Sequence, residues 1–531
     1  MTNTENTDRS SPSATPAKPS TAAGLGSIAG LLSLGAGLGA ASFVAAVAKV
    51  DGPIVAVANR FVDQTPRWLK EFAVRNFGTS DKTVLTIGIT VVLLAAAAGA
   101  GRLARRRLPV ALAAVGVVGA LGVGAAVTRT GSRGADWLPP MVGTLVAAGA
   151  LAWMARPSRS EGARATAAPV AESPLVFERR RFIVQASAVG IGAAALGGVG
   201  RAVRSNRDKV LVRTAQAQTL PTPRSPAQAV PDTASVGRGV GSYLTPNADF
   251  YRIDTSFSPP TIDPATWKMT IDGMVEHPIT ITYDELLARP MIERIVTLTC
   301  VSNEVGGDLI GNARWLGVPL ADLLHEAKVK PGATQIASRS VDGWTCGFPT
   351  AIALDGRDAL VAVAMNGEPL PRAHGFPARL VVPGLYGYVS ATKWLDKITL
   401  TTLEDFDGYW IPRGWSKDGP IKTQSRIDVP RLAADLPIGH NVVAGVAWAQ
   451  HRGIRKVEVQ MDDGPWMTAT LADQPTVDGW RQWWLDWDAP AGRHILQVRA
   501  TDATGAVQTA DKADVAPNGA TGYHGVGVNV K

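Results

Sequence analysis

The chain has 531 residues, which is long for one domain and suits two to four. Its two cysteines are too few for a disulfide framework or for the usual kind of zinc site, which needs more cysteines or clustered histidines. The net charge of +8 hides an asymmetry: residues 1–204 hold 22 Lys and Arg against 10 Asp and Glu, whereas the remainder holds 31 against 35. A basic patch for nucleic acid would lie on the folded part, which is net acidic, so the sequence argues against a nucleic-acid partner.

Five apolar segments follow a Ser/Thr/Pro-rich tail, residues 1–22, whose composition is typical of disorder. The first four are long enough to cross a bilayer at about 20 residues each. The alternative is a set of buried helices in a soluble protein, but the short Arg-rich loops favour a membrane domain over residues 23–204 with about five helices. The segments lie near residues 24–48, 83–101, 108–127, 137–155 and 183–200.

Two loops of the predicted membrane domain are strongly basic, residues 101–107 and the stretch from Arg156 to Arg181. Both should be cytoplasmic under the positive-inside rule. That places the N-terminus inside, the loop over residues 51–82 outside, and everything after residue 200 on the extracytoplasmic side. Because no histidine precedes His277, the spans cannot hold a bis-histidine haem.

The fifth segment begins with Glu178-Arg179-Arg180-Arg181-Phe182, which resembles a twin-arginine signal followed by a weakly hydrophobic span. The alternative is an ordinary basic flank of a membrane helix. A true signal would mean export of a folded domain, which is needed when a cofactor is inserted in the cytoplasm. Ala215-Gln216-Ala217 could be a cleavage site, although we favour a permanent anchor.

Beyond residue 204 the pattern predicts a proline-rich tether, a mixed domain and an all-β domain. The tether covers residues 205–245. Residues 246–415 mix short strands with helices near 283–288 and 319–327, which predicts an α+β domain. Residues 416–515 alternate, turn at Asp463-Gly464 and return, which is typical of an immunoglobulin-like β-sandwich whose tryptophans form the core. We expect residues 516–531 to be a C-terminal tail.

Cys300 is the chemical centre of the mixed domain. It follows the predicted strand 295–299 and precedes a bend that contains Gly306 and Gly311. A lone thiol at a strand end is either a small buried hydrophobe or a soft metal ligand. The residues around it decide between the two.

The run from Met365 to Leu395 (MNGEPLPRAHGFPARLVVPGLYGYVSATKWL) resembles the molybdenum-binding core of the sulfite oxidase family. Ala313-Arg314-Trp315, Cys300 at its strand end and the terminal sandwich resemble that family too, over residues 246–515. The run is also similar to bacterial relatives that reduce methionine sulfoxide. The resemblance implies molybdenum held by molybdopterin and by one cysteine thiolate, matched here by Cys300.

The resemblance also implies a set of cofactor contacts. His374 and Arg379 match positions that grip the pterin and its phosphate, for which a guanidinium is well suited. The full set implied for cofactor binding is Asp249, Tyr251, Arg252, Ile253, Asp342, His374, Arg379, Ala391, Thr392 and Lys393.

The tract that follows the ligand cysteine departs from the sulfite-oxidising pattern. Sulfite oxidases carry an arginine there, whereas this chain has Val301-Ser302-Asn303-Glu304-Val305. The family's active-site tyrosine position matches Trp344, and Arg252 and Arg314 are left as candidate anion contacts. We therefore predict Cys300, Arg314 and Trp344 as the catalytic set, with Glu304 disfavouring sulfite from a low-dielectric pocket mouth. Cys346 is assigned no role.

The prediction is a multidomain protein with transmembrane α-helices, an α+β molybdopterin domain and an immunoglobulin-like sandwich. Its function would be oxygen-atom or two-electron transfer on a small S- or N-containing substrate outside the cytoplasm. A reductase of S- or N-oxides is favoured slightly over a sulfite-type dehydrogenase, and a non-enzymatic cell-surface binding module is the alternative of another class. Electrons would pass to or from a separate protein, and the resemblance implies dimerisation through the sandwich.

Overall fold

The structure is a computed structural model that describes residues 20–66, 69, 72, 76, 81–132, 134–156 and 174–531. It divides into two compact units, Met1–Asn206 and Arg207–Lys531. The first unit is helical in its described part, and the second is rich in β-sheet.

The described part of the first unit is built from long apolar helices. Within it, five helices are long and apolar enough to cross a membrane, and they coincide with the five predicted segments. The orientation of these helices in a membrane stays a prediction. The helices are α1 (Ser20–Ala48), α2 (Pro53–Gln64), α3 (Asp81–Ala104), α4 (Leu108–Thr128), α5 (Leu138–Ala155) and α6 (Pro174–Gln216).

Helix α2 lies in the stretch predicted to be an external loop. It starts with Pro53 in its first turn, where the missing N–H costs no hydrogen bond. Glycines allow α1 and α3 to pack closely, because a Cβ at Gly30 would lie 1.9 Å from the carbonyl oxygen of Ala97.

Helix α6 is longer than the predicted span of residues 183–200. It continues to Gln216, so the first part of the predicted tether is helical. The reason is local: after Gly200 no glycine or proline interrupts the helix before Pro221. Residues 1–19 of the predicted tail, residues 157–173 of the basic loop and the side chains of Glu178 and Arg179 lie outside the described residues.

Residues 217–245, predicted to be the rest of a free tether, instead form a strap that packs along the second unit. Ser225 pairs with Ile292, and Tyr243 is 1% exposed. The carbonyl of Tyr243 accepts hydrogen bonds from the side chains of Asn312 and Trp480 at 2.9 Å each. The prediction of a tether was wrong because a proline-rich composition does not distinguish a free chain from a packed coil.

Two sheets and short helices form the first domain of the second unit. One sheet has the order β2-β1-β10-β5-β6, and the other has the order β3-β4-β7-β8 with β9 also paired to β7. The predicted helices near 283–288 and 319–327 are confirmed as α7 and α8. The elements are β1 (Lys268–Gly273), β2 (Ile279–Thr282), α7 (Tyr283–Leu287), β3 (Ile292–Thr299), β4 (Ile310–Pro319), α8 (Leu320–Ala327), β5 (Gln335–Ser340), β6 (Thr345–Pro349), α9 (Thr350–Leu354), β7 (Leu360–Met365), β8 (Glu368–Pro369), β9 (Arg379–Val381), α10 (Gly387–Ser390) and β10 (Leu395–Thr401).

The second domain consists of two further sheets, ordered β11-β13-β17-β16 and β12-β19-β18-β14-β15. Trp483 and Trp487 are buried in the core between them, as predicted. The immunoglobulin-like assignment itself stays a prediction. The strands are β11 (Gln424–Val429), β12 (Asp435–Leu436), β13 (Gly439–Trp448), β14 (Ile454–Met461), β15 (Met467–Thr468), β16 (Thr470–Leu471), β17 (Arg481–Ala489), β18 (Gly492–Asp502) and β19 (His524–Val530).

The predicted C-terminal tail, residues 516–531, contains strand β19. This strand lies between β12 and β18, and Val526, Val528 and Val530 point into the core. The alternation of these valines with small or polar residues is the period-two pattern of a half-buried strand. The expectation of a tail was therefore wrong.

Candidate active site

Cys300 lies directly after β3, where the chain enters a loop over residues 300–309. Its backbone N–H donates to the carbonyl of Leu309 at 2.9 Å, and the N–H of Ser302 donates to its sulfur at 3.4 Å. Burial raises the pKa of the thiol, against the opposing effect of the Ser302 N–H and of the Lys393 charge. A soft metal that binds a thiolate displaces this proton, so the residue suits metal ligation.

Aromatic rings pack beside the strand pair β3–β4. Phe250 lies edge-on to Trp315, with ring centroids 5.8 Å apart, and edge-on to His374 at 5.6 Å. Gly311 is required at this point, because a Cβ there would lie 2.6 Å from the Phe250 ring. The glycine thus lets the predicted first cofactor loop approach the sheet.

Arg379 is buried, with 5% exposure, and its guanidinium lies 5.0 Å from the centre of the Trp315 ring. One of its nitrogens donates to the carbonyl of His374 at 3.0 Å. Burial lowers the pKa of Arg379 to about 10. It forms no ion pair with any residue that the structure describes, and a buried cation without a counter-charge is costly. The position therefore fits an anionic group such as the phosphate of a pterin.

The Tyr251 phenol interacts electrostatically with both the Cys300 thiol and the Arg379 guanidinium. Burial raises the pKa of Tyr251, the charge of a Cys300 thiolate raises it further, and Arg379 lowers it. The three side chains therefore share one environment, although 128 residues separate the first from the last.

Lys393 and Arg252 share one carboxylate, that of Asp254. Lys393 Nζ lies 3.0 Å from Asp254 and Arg252 Nε lies 2.9 Å from the same oxygen. Burial lowers the pKa of Lys393 to about 8 even though Asp254 opposes the effect. Burial raises the pKa of the neighbouring Asp342. The array carries both signs of charge, in contrast to the unpaired Arg379.

His374 is held in a neutral form. Its Nε2 lies 3.0 Å from the carbonyl oxygen of Asn247, to which it donates a hydrogen. Burial, reinforced by the charge of Arg379, lowers the pKa of His374 to about 4. Nδ1 is therefore left as an acceptor for a donor group of a ligand.

Gly375 separates the two cationic groups. Its φ of +118° is a left-handed value, and a Cβ would lie 3.0 Å from Cβ of Arg379 and 3.2 Å from Cα of Lys393. A side chain at this position would push the arginine and the lysine apart. This contact explains why a glycine follows His374 in the motif.

Thr392 is fully buried beneath the loop that carries Lys393. Its hydroxyl lies 2.7 Å from that of Ser338 and 3.1 Å from the sulfur of Cys346. Burial raises the pKa of Cys346 to about 11. The second thiol is thus a neutral packing group within a hydroxyl cluster.

The structure brings most of the predicted cofactor residues to one region. They come from the first loop, from the turn between β5 and β6, from the motif run and from the loop after α10, and their cofactor roles stay predictions. This group comprises Tyr251, Arg252, Cys300, Asp342, His374, Arg379 and Lys393, with Ala391 and Thr392 directly before Lys393 in the same loop.

Arg314 lies on the opposite face of β4 from Trp315. Successive strand residues alternate, so the side chain of Arg314 points away from Arg379 and lies 3.8 Å from Glu293. The structure therefore does not support the prediction that Arg314 is catalytic. Trp344 lies in the β5–β6 turn, where its backbone N–H donates to the carboxylate of Asp342 at 3.1 Å.

Asp249 and Ile253 are exposed, in contrast to Phe250 and Tyr251 of the same loop. Phe250 is buried between them, and Ile253 is 47% exposed. The loop thus directs Phe250 and Tyr251 inward and leaves these two outside. The structure gives neither of them a contact with the group around Arg379.

Two residues of the site received no individual role from the sequence, although the loop from Asp249 to Asp254 as a whole resembles the family's first cofactor-binding loop. Asp254 joins Arg252 to Lys393, and it lies in the first loop, where the resemblance gave its neighbours a role. Tyr386 is 2% exposed, and the pKa of its phenol is raised to about 12 by burial and by the nearby Cys300. It belongs to the motif run, but only the fold shows that it faces Cys300.

Comparisons with known proteins agree with this site. A family model described as "Oxidoreductase molybdopterin binding domain" matches residues 256–410. Mitochondrial sulfite oxidase of Rattus norvegicus is 29% identical over 304 residues, which cover 48% of this chain and 55% of that protein. The oxidoreductase YuiH of Bacillus subtilis is 35% identical over 157 residues, which cover 30% of this chain and 76% of that protein.

Among solved structures, the sulfane dehydrogenase SoxCD of Paracoccus pantotrophus matches with a TM-score of 0.47 and 24% identity, over 60% of this chain and 94% of that one. The chain spans about half the length of the mitochondrial sulfite oxidases it matches. It belongs to the sulfite oxidase family of molybdopterin-binding oxidoreductases. The cofactor predicted from the motif run, molybdenum with molybdopterin, is confirmed at the level of the family.

Proposed function

We propose that the chain is a membrane-anchored molybdenum–pterin oxidoreductase that faces the extracytoplasmic side and reduces a small, uncharged S- or N-oxide. The reaction consumes two electrons and two protons, removes one oxygen atom from the substrate and yields water. The five apolar helices and their basic loops support the anchor and the orientation.

Cys300 would be the protein ligand of molybdenum, and the bound cofactor would supply the two-electron, oxygen-atom chemistry. Arg379, unpaired and buried, would hold the pterin phosphate. His374 would accept a hydrogen bond at Nδ1, and the Lys393–Asp254 pair would present both a donor and an acceptor. These residues bind and orient; Cys300 would lose its proton when the metal binds, and the others would keep their protonation state.

The contacts of three arginine side chains support an uncharged substrate. Arg252 is tied to Asp254, Arg314 points to the other face of β4, and Arg379 lies inside the core beneath Trp315. In the family's sulfite-oxidising members, by contrast, an anion binds among several arginines. The disposition of these three guanidinium groups is the observation that carries the proposal.

The exposure of Glu304 removes the reason, given by the sequence, for expecting this carboxylate to disfavour sulfite. Glu304 is exposed in the loop after Cys300, so water screens its charge. The penalty expected for a carboxylate in a low-dielectric pocket mouth does not apply to it. The proposal rests on the arginines alone.

A sulfite-type dehydrogenase is the second candidate. It is favoured by the relatives named sulfite oxidase, among which that of Drosophila melanogaster is 30% identical over 326 residues. In either case a separate electron-transfer protein completes the cycle, since no histidine is available before His277 for a haem in the spans. A homodimer through the second domain is part of the same proposal.

The two directions are separated by steady-state assays on purified full-length protein in detergent. One assay supplies dimethyl sulfoxide, methionine sulfoxide or trimethylamine N-oxide with reduced viologen, and the other supplies sulfite with a c-type cytochrome. We expect turnover in the first assay and a kcat/KM for sulfite lower by orders of magnitude. Efficient sulfite turnover would contradict the reductase, and molybdenum-free protein from molybdate-replete cells would contradict both candidates.

A further inference from the structure

The outer edge of β3 is covered by the second domain just before Cys300. β3 is the edge strand of its sheet. The N–H of Thr297 donates to the carbonyl of Asp478 at 2.9 Å, and its own carbonyl accepts from Gln450 Nε2 at 3.0 Å. Groups from the second domain thus take the place of a neighbouring strand, three residues before the thiol.

Gln450 makes a second contact with the same strand end. It is fully buried, and its Nε2 also lies 3.3 Å from the hydroxyl of Thr299, the residue that precedes Cys300. The carbonyl of Thr297 can only accept, which fixes the orientation of the amide. The Gln450 side chain therefore binds both Thr297 and Thr299 at the end of β3.

Stability alone does not explain this glutamine. Its Oε1 is buried and meets no donor among the residues that the structure describes. A buried acceptor without a partner costs folding free energy, which an apolar side chain of similar length would avoid. The unsatisfied oxygen indicates that the amide N–H groups serve a positional purpose.

The other end of the Cys300 loop is held from the second domain as well. The guanidinium of Arg426 donates to the carbonyl of Gly307 at 2.8 Å. His524 packs on Gly306, where a Cβ would lie 2.1 Å from the imidazole ring. The thiol is therefore bracketed by contacts from one neighbouring domain on both sides.

We propose that the second domain sets the position of the Cys300 sulfur, and that Gln450 is the positioning residue through which it does so. The inference rests on the proposed role of Cys300 as the metal ligand. It gives the second domain a part in the site that is independent of any role in dimerisation.

The first test uses cofactor-free protein, so it does not depend on turnover. Full-length chain from a pterin-deficient host is treated with iodoacetamide, and alkylation of Cys300 and Cys346 is followed by mass spectrometry. In Gln450→Met we expect Cys300 to react at least roughly fivefold faster, because the variant loses two hydrogen bonds and the loss of one alone corresponds to about that factor. Cys346, held by Ser338 and Thr392, should keep its rate and serves as an internal control.

A control in the same domain is Gln460→Met. Gln460 is half-buried, and its side-chain amide donates to the carbonyl of Gly464 at 2.7 Å, in the turn after β14 and away from Arg426, His524 and the Cys300 loop. It should leave Cys300 unchanged. Equal acceleration of Cys300 by both variants, or acceleration by neither, would overturn the proposal.

The second test uses the molybdenum-loaded protein. Gln450→Met should shift the g-values of the Mo(V) electron paramagnetic resonance signal at unchanged metal content, whereas Gln460→Met should not. Unchanged g-values would overturn the proposal. If Gln450→Met does not fold, Thr299→Val removes a single acceptor and should give smaller changes of the same kind. Metal-free protein would defeat the proposed function, while the alkylation result would still report on Gln450.

Discussion

Two buried charged side chains, one in each domain of the second unit, differ in whether the fold supplies them with a partner of opposite charge. Asp502 in the second domain is 1% exposed, and its carboxylate accepts hydrogen bonds from Arg452, Thr423 and Thr504. Arg379 in the first domain is 5% exposed, yet within the described chain it meets carbonyls, the Trp315 ring and the phenol of Tyr251 but forms no ion pair. The fold can satisfy a buried charge, so leaving one unsatisfied marks a place kept for a ligand.

The largest effect is expected at the unsatisfied charge. Arg379→Met should weaken cofactor binding by roughly 100-fold and so lower the molybdenum content, because losing one partner of a buried charge contact costs about 3 kcal/mol. The cofactor-free protein should be unchanged or more stable, by about 1 kcal/mol, because an unpaired buried cation is removed. Molybdenum analysis and thermal unfolding measure the two effects. If Arg379→Met instead destabilised the cofactor-free protein, as the loss of one partner of a structural ion pair does, the contrast with Asp502 would be refuted.

The converse is expected at the satisfied charge. Burial alone would raise the pKa of Asp502, but hydrogen bonds from Thr504, Thr423 and Arg452 lower it to about 2. A depressed pKa contributes stability above the unfolded value near 4, and that contribution is lost as the pH falls towards 2. Asp502→Asn should therefore cost about 2 kcal/mol at neutral pH and remove this part of the acid dependence. Metal content below the unfolding temperature should stay unchanged, which denaturant titrations and elemental analysis would check.

Lys393 lies between these extremes, since it is buried but paired. Its pKa of about 8 lies below the unfolded value near 10.4, so the unfolded chain binds more protons between these pH values. Stability of the cofactor-free protein should therefore rise with pH across this window, by on the order of 2 kcal/mol. Lys393→Met should flatten that rise, as measured by denaturant unfolding at pH 7.5, 9 and 10. An unchanged slope would show that the lysine does not feel its burial.

The smallest effect is expected at Glu304. Glu304→Gln should change the KM for sulfite by about twofold or less, because an exposed carboxylate is screened by water and salt. Steady-state assays at low and at physiological ionic strength would check this. A change above tenfold would restore the pocket-mouth role predicted from the sequence.

The local part of the site could be predicted, and its long-range part could not. The position of Cys300 after a strand and the helix over Leu320–Ala327 follow from short-range patterns. The face to which Arg314 points requires knowledge of which side of the sheet holds the other residues. The link between Asp254 and Lys393 spans 139 residues, and no periodicity encodes it. The same limit applies to the tether, because its packing depends on partners such as Trp480.

The strap over residues 217–245 fixes where the chain can be cut. Arg224 and Ser225 are bonded to the start of β3, and Thr233 reaches Asp473 of the second domain. From the proposed membrane anchor, a protease that acts near Ala217 should release the strap together with both domains of the second unit. A fragment that begins at residue 246 would lack the buried Tyr243 and leave the start of the β3 edge, at Ile292, without its partner Ser225, so it should aggregate. The shortest useful recombinant version of the enzyme therefore starts near Ala217, 51 residues before Lys268, where the first strand begins.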